Sequence, residues 1–243
     1  MTAANTIAAI IPVLDEETAI ADVATNVRAF VGQVIVVDGN SSDRTAERAR
    51  AAGATVVIEA QRGYGRAMRA GIAALDPAVA YVLFIDGDGS DRTDLIPEVL
   101  APLLKGNADF VHGTRLQGAR EPGALSPPQL VAGHLAGLAI RLLYGVRYTD
   151  MSPFRAIRRD ALDGLGMRDE TFGWNLEMQM RAAARGLRIV EVPVGQRTRR
   201  GGKSKVSGSL PMAARVTWIL GRTFVRLART LRLEGHNGSR DAV

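Results

Sequence analysis

Two aspartates one residue apart, Asp86 and Asp88, end the apolar run Ala80-Tyr81-Val82-Leu83-Phe84-Ile85. Such a run reads as a central strand, and open α/β sheets bind ligands beyond the C-terminal ends of their strands. Two carboxylates on a short turn can share a divalent cation. Hard oxygen ligands suit Mg²⁺ or Mn²⁺ bridged to phosphate oxygens. An ordinary polar turn uses the same residue types, so the pair gains weight only from what accompanies it.

Four other segments accompany it. Pro12-Val13-Leu14-Asp15-Glu16-Glu17 puts carboxylates where they could accept hydrogen bonds from a base or ribose, or simply open a helix in keeping with its dipole. Asp38 closes a second apolar run and is followed by Gly39-Asn40-Ser41-Ser42-Asp43-Arg44-Thr45. Ser42 or Asp43 suits a helix cap, but Asp38 precedes the cap by several positions and capping does not account for it. Arg62-Gly63-Tyr64-Gly65-Arg66-Ala67 combines glycines that admit a phosphate to backbone amides with guanidinium groups that add charge-assisted hydrogen bonds. Arg199-Arg200-Gly201-Gly202-Lys203-Ser204-Lys205 gathers four cations and two glycines in one loop, suited to a pyrophosphate or to solvent.

No histidine is placed to act as a general base. His112 closes a strand, His134 lies in a helix and His236 in the tail. Glu177, within Phe172-Gly173-Trp174-Asn175-Leu176-Glu177-Met178-Gln179, is the leading acidic candidate after the metal pair, a solvated helix surface being the alternative.

The elements that must position these residues follow from the alternation of apolar runs with helix-like segments. Strands are expected at Ile7–Val13, Gln33–Val37, Thr55–Ile58, Tyr81–Ile85, Asp109–Gly113, Phe154–Ile157 and Leu187–Val192. Helices are expected at Thr18–Phe30, from Ser42 through Ala52, at Gly65–Leu75, Thr93–Leu104, Gln129–Tyr144, Asn175–Arg185 and Pro211–Leu233. This spacing predicts βαβ units with right-handed connections and a mostly parallel sheet. Gln117 to Pro128, rich in Gly and Pro, reads as a mobile loop. No linker marks a second domain: residues 1–209 form the α/β domain, 210–233 the last helix and 234–243 a polar tail.

The 243 residues are 47% hydrophobic, enough for a sizeable core, and carry a net charge of +6 that favours an anionic partner. Cysteine is absent, which excludes disulfides and thiolate metal sites and fits a reducing cytoplasm. The N-terminus lacks the basic start of a signal peptide, and no stretch is long and apolar enough to span a bilayer.

Taken together, these segments resemble family 2 glycosyltransferases of the GT-A fold, and specifically the branch of polyprenyl-phosphate (dolichyl-phosphate) sugar synthases. The family's Pro-x-x-Asn-Glu appears as Pro12 to Glu16, its Asp-Asp-Gly-Ser-x-Asp-Gly-Thr as Asp38 to Thr45, its Arg-Gly-x-Gly-x-Ala as Arg62 to Ala67, and its Asp-Ala-Asp as Asp86-Gly87-Asp88. Gly113-Thr114-Arg115 is similar to Gly-Ser-Arg, Thr149-Asp150 with Phe154-Arg155-Ala156 to a Thr-Asp…Phe-Arg segment, and Arg200 to Lys205 to Arg-x-Gly-x-Ser-Lys. The resemblance covers Ile7 to Ser209 and implies a Rossmann-like, mostly parallel sheet with helices on both faces plus a C-terminal amphipathic helix. It implies an inverting hexosyltransferase using a nucleotide sugar (UDP-glucose or GDP-mannose), Mg²⁺ or Mn²⁺, and a polyprenyl phosphate acceptor. Pro12, Asp15, Glu16 and Asp38 would line the base and ribose pocket, with Arg62 and Gly65 beside the nucleotide. Asp86 and Asp88 would hold the metal, and Arg115, Arg155, Arg200, Ser204 and Lys205 would contact donor or acceptor phosphates. Glu177 lies where many relatives carry a catalytic acidic motif. Three positions depart from the pattern: Gly39 replaces an Asp, Ser90 stands where a Gln ligand is common, and the family's Arg and Asn are missing near Gly133-His134.

Two alternatives remain beside this. A soluble phosphorylated or saccharide acceptor would use the same donor chemistry, and a non-catalytic nucleotide-sugar-binding protein would bind without transfer. A dinucleotide-binding oxidoreductase is disfavoured, because Leu14-Asp15-Glu16 stands where its glycine-rich turn belongs. In the last helix, Val216, Leu220, Phe224, Leu227 and Leu231 form an apolar stripe opposite Arg215, Arg222, Arg226 and Arg229, with Trp218 near the boundary. The stripe suits either an anionic membrane interface, with the protein peripheral on the inner face of the plasma membrane, or packing on the sheet. No nucleic-acid partner is expected.

Overall fold

The computed structural model describes residues 3–125, 127–200 and 210–238. Seven strands form one sheet: β1 (Ile7–Val13), β2 (Gln33–Asp38), β3 (Thr55–Ile58), β4 (Tyr81–Phe84), β5 (Phe110–Thr114), β6 (Arg155–Arg158) and β7 (Ile189–Pro193), in the order β3-β2-β1-β4-β6-β5-β7. Every pairing is parallel except those of β6, which runs against both β4 and β5. All seven lie where the apolar runs place them, within a few residues at their ends.

The helices are α1 (Ile20–Arg28), α2 (Thr45–Ala51), α3 (Tyr64–Ala73), α4 (Ile96–Leu104), α5 (Pro127–Tyr144), α6 (Arg159–Leu165), α7 (Trp174–Ala184) and α8 (Leu210–Gly238). Strand side chains alternate between two cores, as the period of two requires. Ile7, Ala9, Ile11 and Val13 share one core with α1 and α4, while Ala8 and Ile10 belong to the other, with α3, α7 and α8. Burial on both faces is why the central strands read as unbroken apolar runs rather than alternating ones.

Three features differ from expectation or decide between its alternatives. Helix α6 is additional: Leu162 and Leu165 are buried, and Gly166 stops the helix in the left-handed conformation at φ 63°. Within the Gly/Pro segment, Arg120 bridges Gln196, and Pro127 already starts α5. The stripe of α8 packs inward, with Leu227 and Leu231 buried in the core and Leu220 and Phe224 half-buried against it. Of the two readings of that stripe, the structure has packing inside the protein, and α8 is a layer running on to Gly238. What α8 exposes is Trp218, Val225 and Leu233, with Arg222 stacked 5.5 Å over the Trp218 ring. Helix α5 exposes Val131, Leu135, Leu138, Leu142 and Leu143. Among the described residues no helix is long and apolar enough to cross a membrane.

Because β1, β2, β4, β5 and β7 are mutually parallel in direction, their C-terminal ends share one rim. Reversed β6 delivers its first residue there instead, Arg155 pairing with Phe84 and His112. One sheet edge thus collects Asp15, Glu16, Asp38, Asp86, Asp88, Arg115, Arg155 and the basic segment after β7.

Candidate active site

The turn after β4 is built around a third aspartate that the motif reading passed over. Asp91 is buried, and its Oδ2 accepts the amide of Asp86 at 2.9 Å. Asp88 Oδ1 accepts the amide of Ser90 at 2.9 Å. Between the paired aspartates, a Cβ on Gly87 would sit 2.3 Å from Val13 Cγ1, so the turn can press against β1 only with glycine there. Among the described residues Asp86 Oδ1 and Asp91 Oδ1 have no hydrogen-bond partner although both are shut off from solvent. Burial first, then the neighbouring Asp91 and Asp88 charges, pushes the Asp86 carboxyl well above the usual range. Burial likewise pushes Asp91 up to about 7. Closely set, desolvated carboxylates of this kind are stabilised by a proton or by a bound cation. The signal that could have found Asp91 is its spacing, three residues beyond Asp88 in a turn too tight to project it elsewhere.

The loops after β1 and β2 are laced together. Asp15, at φ 52°, donates its amide to Ser41 Oγ at 2.8 Å, and its Oδ1 accepts the amide and hydroxyl of Ser42 at 2.8 and 3.1 Å. Asp38 is buried and its Oδ1 accepts the Ser41 amide at 2.8 Å. The amides of Glu16 and Glu17 reach Thr45 Oγ1 and Asp43 Oδ2. Asp43 Oδ1 accepts the Thr45 amide at 2.9 Å, but the N-cap position of α2 falls on Arg44, which makes no side-chain cap, so neither Ser42 nor Asp43 is the cap the sequence suggested. Pro12 pairs with Val37 in the sheet below this loop pair and is half-buried.

The glycines of Arg62-Gly63-Tyr64-Gly65 serve packing. A Cβ on Gly65 would lie 2.0 Å from the Asp169 carbonyl oxygen, and the Gly65 amide donates to the Thr171 carbonyl at 3.2 Å. That amide is spent inside the protein rather than offered to a phosphate, while the Arg62 side chain is exposed. Tyr64 reaches beneath the turn near Asp86, and burial raises its hydroxyl far above the ordinary range.

The arginines divide into framework and strap. Arg115 donates from Nε and Nη2 to Asp150 at 2.6 and 2.7 Å, and its amide reaches the same carboxylate at 3.0 Å. Burial alone would raise Asp150, but the Arg115 guanidinium holds it down at about 2. Arg155 is 1% exposed and donates to the carbonyls of Pro153, Asn175 and Ser152. Neither guanidinium is presented as a direct phosphate contact. Both instead add positive potential near Asp86 and Asp91. By contrast, Arg199 Nη2 donates to Asp88 Oδ2 at 2.7 Å and to Glu16 Oε1 at 3.2 Å, and Arg200 Nη1 to Asp22 Oδ2 at 2.5 Å. Ser204 and Lys205 lie outside the described residues.

Glu177 does not stand over the rim as a base. It is 1% exposed, its Oε2 accepts the amides of Arg168 and Asp169 at 3.0 and 2.6 Å, and its Oε1 accepts Arg181 Nε at 2.8 Å. Its work is to hold the segment on which Gly65 packs. In that segment Asp169 accepts Thr171 and is tied to α8 through Arg226 Nη2 at 2.8 Å. His112 is fully buried, with Nε2 3.0 Å from the Asp150 carbonyl, and burial lowers it to about 3, so it stays neutral and structural.

Comparison with known proteins adds independent findings. The model of the family described as Glycosyl transferase family 2 matches residues 8–166. An uncharacterized glycosyltransferase of Mycobacterium tuberculosis is 40% identical over 211 residues, 86% of this chain and 93% of the relative. A dolichyl-phosphate hexose transferase of Haloferax volcanii is 33% identical over 201 residues, 80% of this chain and 84% of the relative. In three dimensions the chain is similar to glucosyl-3-phosphoglycerate synthase from Mycobacterium tuberculosis, solved with Mn²⁺, uridine diphosphate and glucosyl-3-phosphoglycerate. The TM-score is 0.74 at 24% identity, over 93% of this chain and 81% of that one, a likeness that carries the GT-A fold.

Proposed function

The chain belongs to glycosyl transferase family 2, and from that premise we propose that it moves a hexose, with inversion, from UDP-glucose or GDP-mannose to a polyprenyl phosphate. The observation that carries the donor half is the β4 turn, where Asp86 and Asp91 keep shielded oxygens without partners. Those donors fit Mg²⁺ or Mn²⁺. Among the described residues no three acidic or histidine side chains converge on one point. Asp86 and Asp88 are the residues that would hold the ion, which would supply charge neutralisation for the departing diphosphate.

The chain's own residues do the rest. Asp15, Glu16 and Asp38, fixed by the laced loops, line the base and ribose side next to Pro12. Arg199 and Arg200 are the cations at the surface of the rim that can meet a phosphate, and Arg115 and Arg155 bias the field from beneath. A phosphate monoester, whose second pKa is about 6, attacks as an anion and needs no general base. That suits a rim where Glu177 and His112 are both committed to the framework.

The lipid half draws on the relative named for dolichyl phosphate and on the outer faces of α5 and α8. Leu142 is 78% and Trp218 63% exposed, and no acidic residue occurs from Pro122 to Thr149 or from Leu210 to Leu233. Apolar side chains among arginines suit a peripheral position on an anionic membrane. A soluble phosphorylated acceptor is the second reading, favoured by the structural neighbour, which was solved with glucosyl-3-phosphoglycerate bound.

The experiment is a panel of nucleotide sugars with Mn²⁺, read first by thermal shift and then by transfer of radiolabelled sugar to polyprenyl phosphate or to small phosphorylated acids. Metal-dependent stabilisation by one donor, with label passing into the organic phase, is the expected result. Label confined to water-soluble product overturns the lipid acceptor. Donor binding without any transfer overturns the enzyme reading.

A further inference from the structure

Resting on the metal and diphosphate reading above, we propose that Arg199 is the counter-ion of the unloaded site, a positioning residue that yields Asp88 to a divalent cation when a nucleoside diphosphate arrives to take its guanidinium. One side chain bridges two acidic arms of the rim. Arg199 Nη2 donates to Asp88 Oδ2 in the β4 turn and to Glu16 Oε1 in the loop after β1. Asp88 Oδ1 already accepts the Ser90 amide, so Oδ2 is the oxygen that both the guanidinium and a metal ion require.

The segment bearing Arg199 is strapped along the same turn. The Arg197 amide donates to the Ser90 carbonyl at 2.9 Å and the Arg200 amide to the Asp88 carbonyl at 3.2 Å, while Gln196 Nε2 reaches Ser90 Oγ at 3.3 Å. Arg197 Nη2 pairs with Asp94 and Arg200 Nη1 with Asp22. The strap thus brings the guanidinium to the carboxylate without depending on the ion pair itself. Among the described residues, Arg199 Nε is shielded and has no partner. That donor becomes available once the side chain leaves Asp88, and a diphosphate offers the planar, bidentate recognition for which guanidinium is suited.

A dication and a guanidinium cannot share one oxygen without strong repulsion. Metal binding alone therefore has to break the Arg199–Asp88 pair, whereas metal with diphosphate exchanges it for a new one. The two ligands must then bind with positive coupling, and the coupling is reciprocal.

The test measures Mn²⁺ affinity by the electron paramagnetic resonance of free Mn²⁺, with and without UDP or GDP, in the wild type, Arg199→Gln, Arg199→Lys and Asp22→Asn. Removing a partly buried charge-assisted pair should let Arg199→Gln bind Mn²⁺ alone about three- to tenfold more tightly. The same variant should lose most of the enhancement that the diphosphate confers. Arg199→Lys, which restores a charge, should return both quantities toward wild type. Asp22→Asn loosens the strap through Arg200 without touching Asp88, and should bind Mn²⁺ alone as the wild type does. Arg199→Gln binding Mn²⁺ no more tightly, retaining the full diphosphate enhancement, or matched by Asp22→Asn would overturn the proposal. A wild type that binds Mn²⁺ neither alone nor with either diphosphate would instead bring down the metal reading on which it stands.

Discussion

The carboxylates of the β4 turn and those behind β5 and α7 are chemically alike and buried alike, yet they end in opposite states. Asp150 and Glu177 have both oxygens engaged, by a bidentate guanidinium in one case and by two amides and a guanidinium in the other. Asp86 and Asp91 each retain a shielded oxygen without a partner. Burial pushes both Asp150 and Asp91 upward, but Arg115 pulls Asp150 down to about 2 while Asp91 rises to about 7. A buried carboxylate that is fully bonded belongs to the framework. One that is left incomplete marks where a ligand must come.

That contrast can be broken most forcefully at the rim. Asp86→Asn should cut transfer by at least about a thousandfold, the scale on which losing preorganised charge stabilisation is felt. Its melting temperature without ligand should stay level or rise, because a desolvated charge is removed. A variant that unfolds in step with its loss of activity would put Asp86 in the framework instead.

A middling effect is expected at Glu177→Gln. The change leaves Arg181 buried without its principal anion and should cost about 1–3 kcal/mol of stability in urea denaturation. The kcat of the protein that remains folded should change little. A large fall in kcat at unchanged stability would return Glu177 to the reacting centre.

The effect that is smallest at neutral pH sharpens the comparison along the acid limb. His112 is lowered to about 3 by burial, so the unfolded chain, with an ordinary imidazole near 6.5, binds a proton that the folded chain refuses. Stability from this group is therefore complete above about pH 6.5 and is lost as pH falls toward 3. The steepest slope is about 1.4 kcal/mol per pH unit for one proton. His112→Gln should flatten that limb of the melting-temperature profile. An identical profile in the variant would show that His112 is not the buried neutral group described.

The sheet was legible because a strand covered on both faces leaves a continuous apolar signature, and β1, β2 and β4 have no competing pattern. Helix α6 was missed because seven residues give too few turns for periodicity to declare itself, although Gly166 announced its end. At the site, residue type and strand-end position pointed to Asp15, Asp38, Asp86 and Asp88. Partners did not emerge in the same way. Arg115 meets Asp150 from 35 positions away, and Arg199 meets Asp88 from 111. Whether an arginine is a free cation or a structural clamp is decided by such distant company. The stripe of α8 carried the same ambiguity, since apolar periodicity specifies that a face is covered and not by what.

The reversal of β6 has a consequence for how such a chain can diversify. The polypeptide leaves the rim at Arg115, makes an excursion through α5, and returns to the same edge at Asp150, where one ion pair closes the circuit. That staple anchors both ends of the enclosed stretch, which is also fastened along its length: Glu121 donates its amide to the Gln196 carbonyl after β7, and Ile140 and Tyr148 reach into the core. Only the outward side chains of α5 between these fixed points are free to change character without disturbing the register of β4 or the turn it carries.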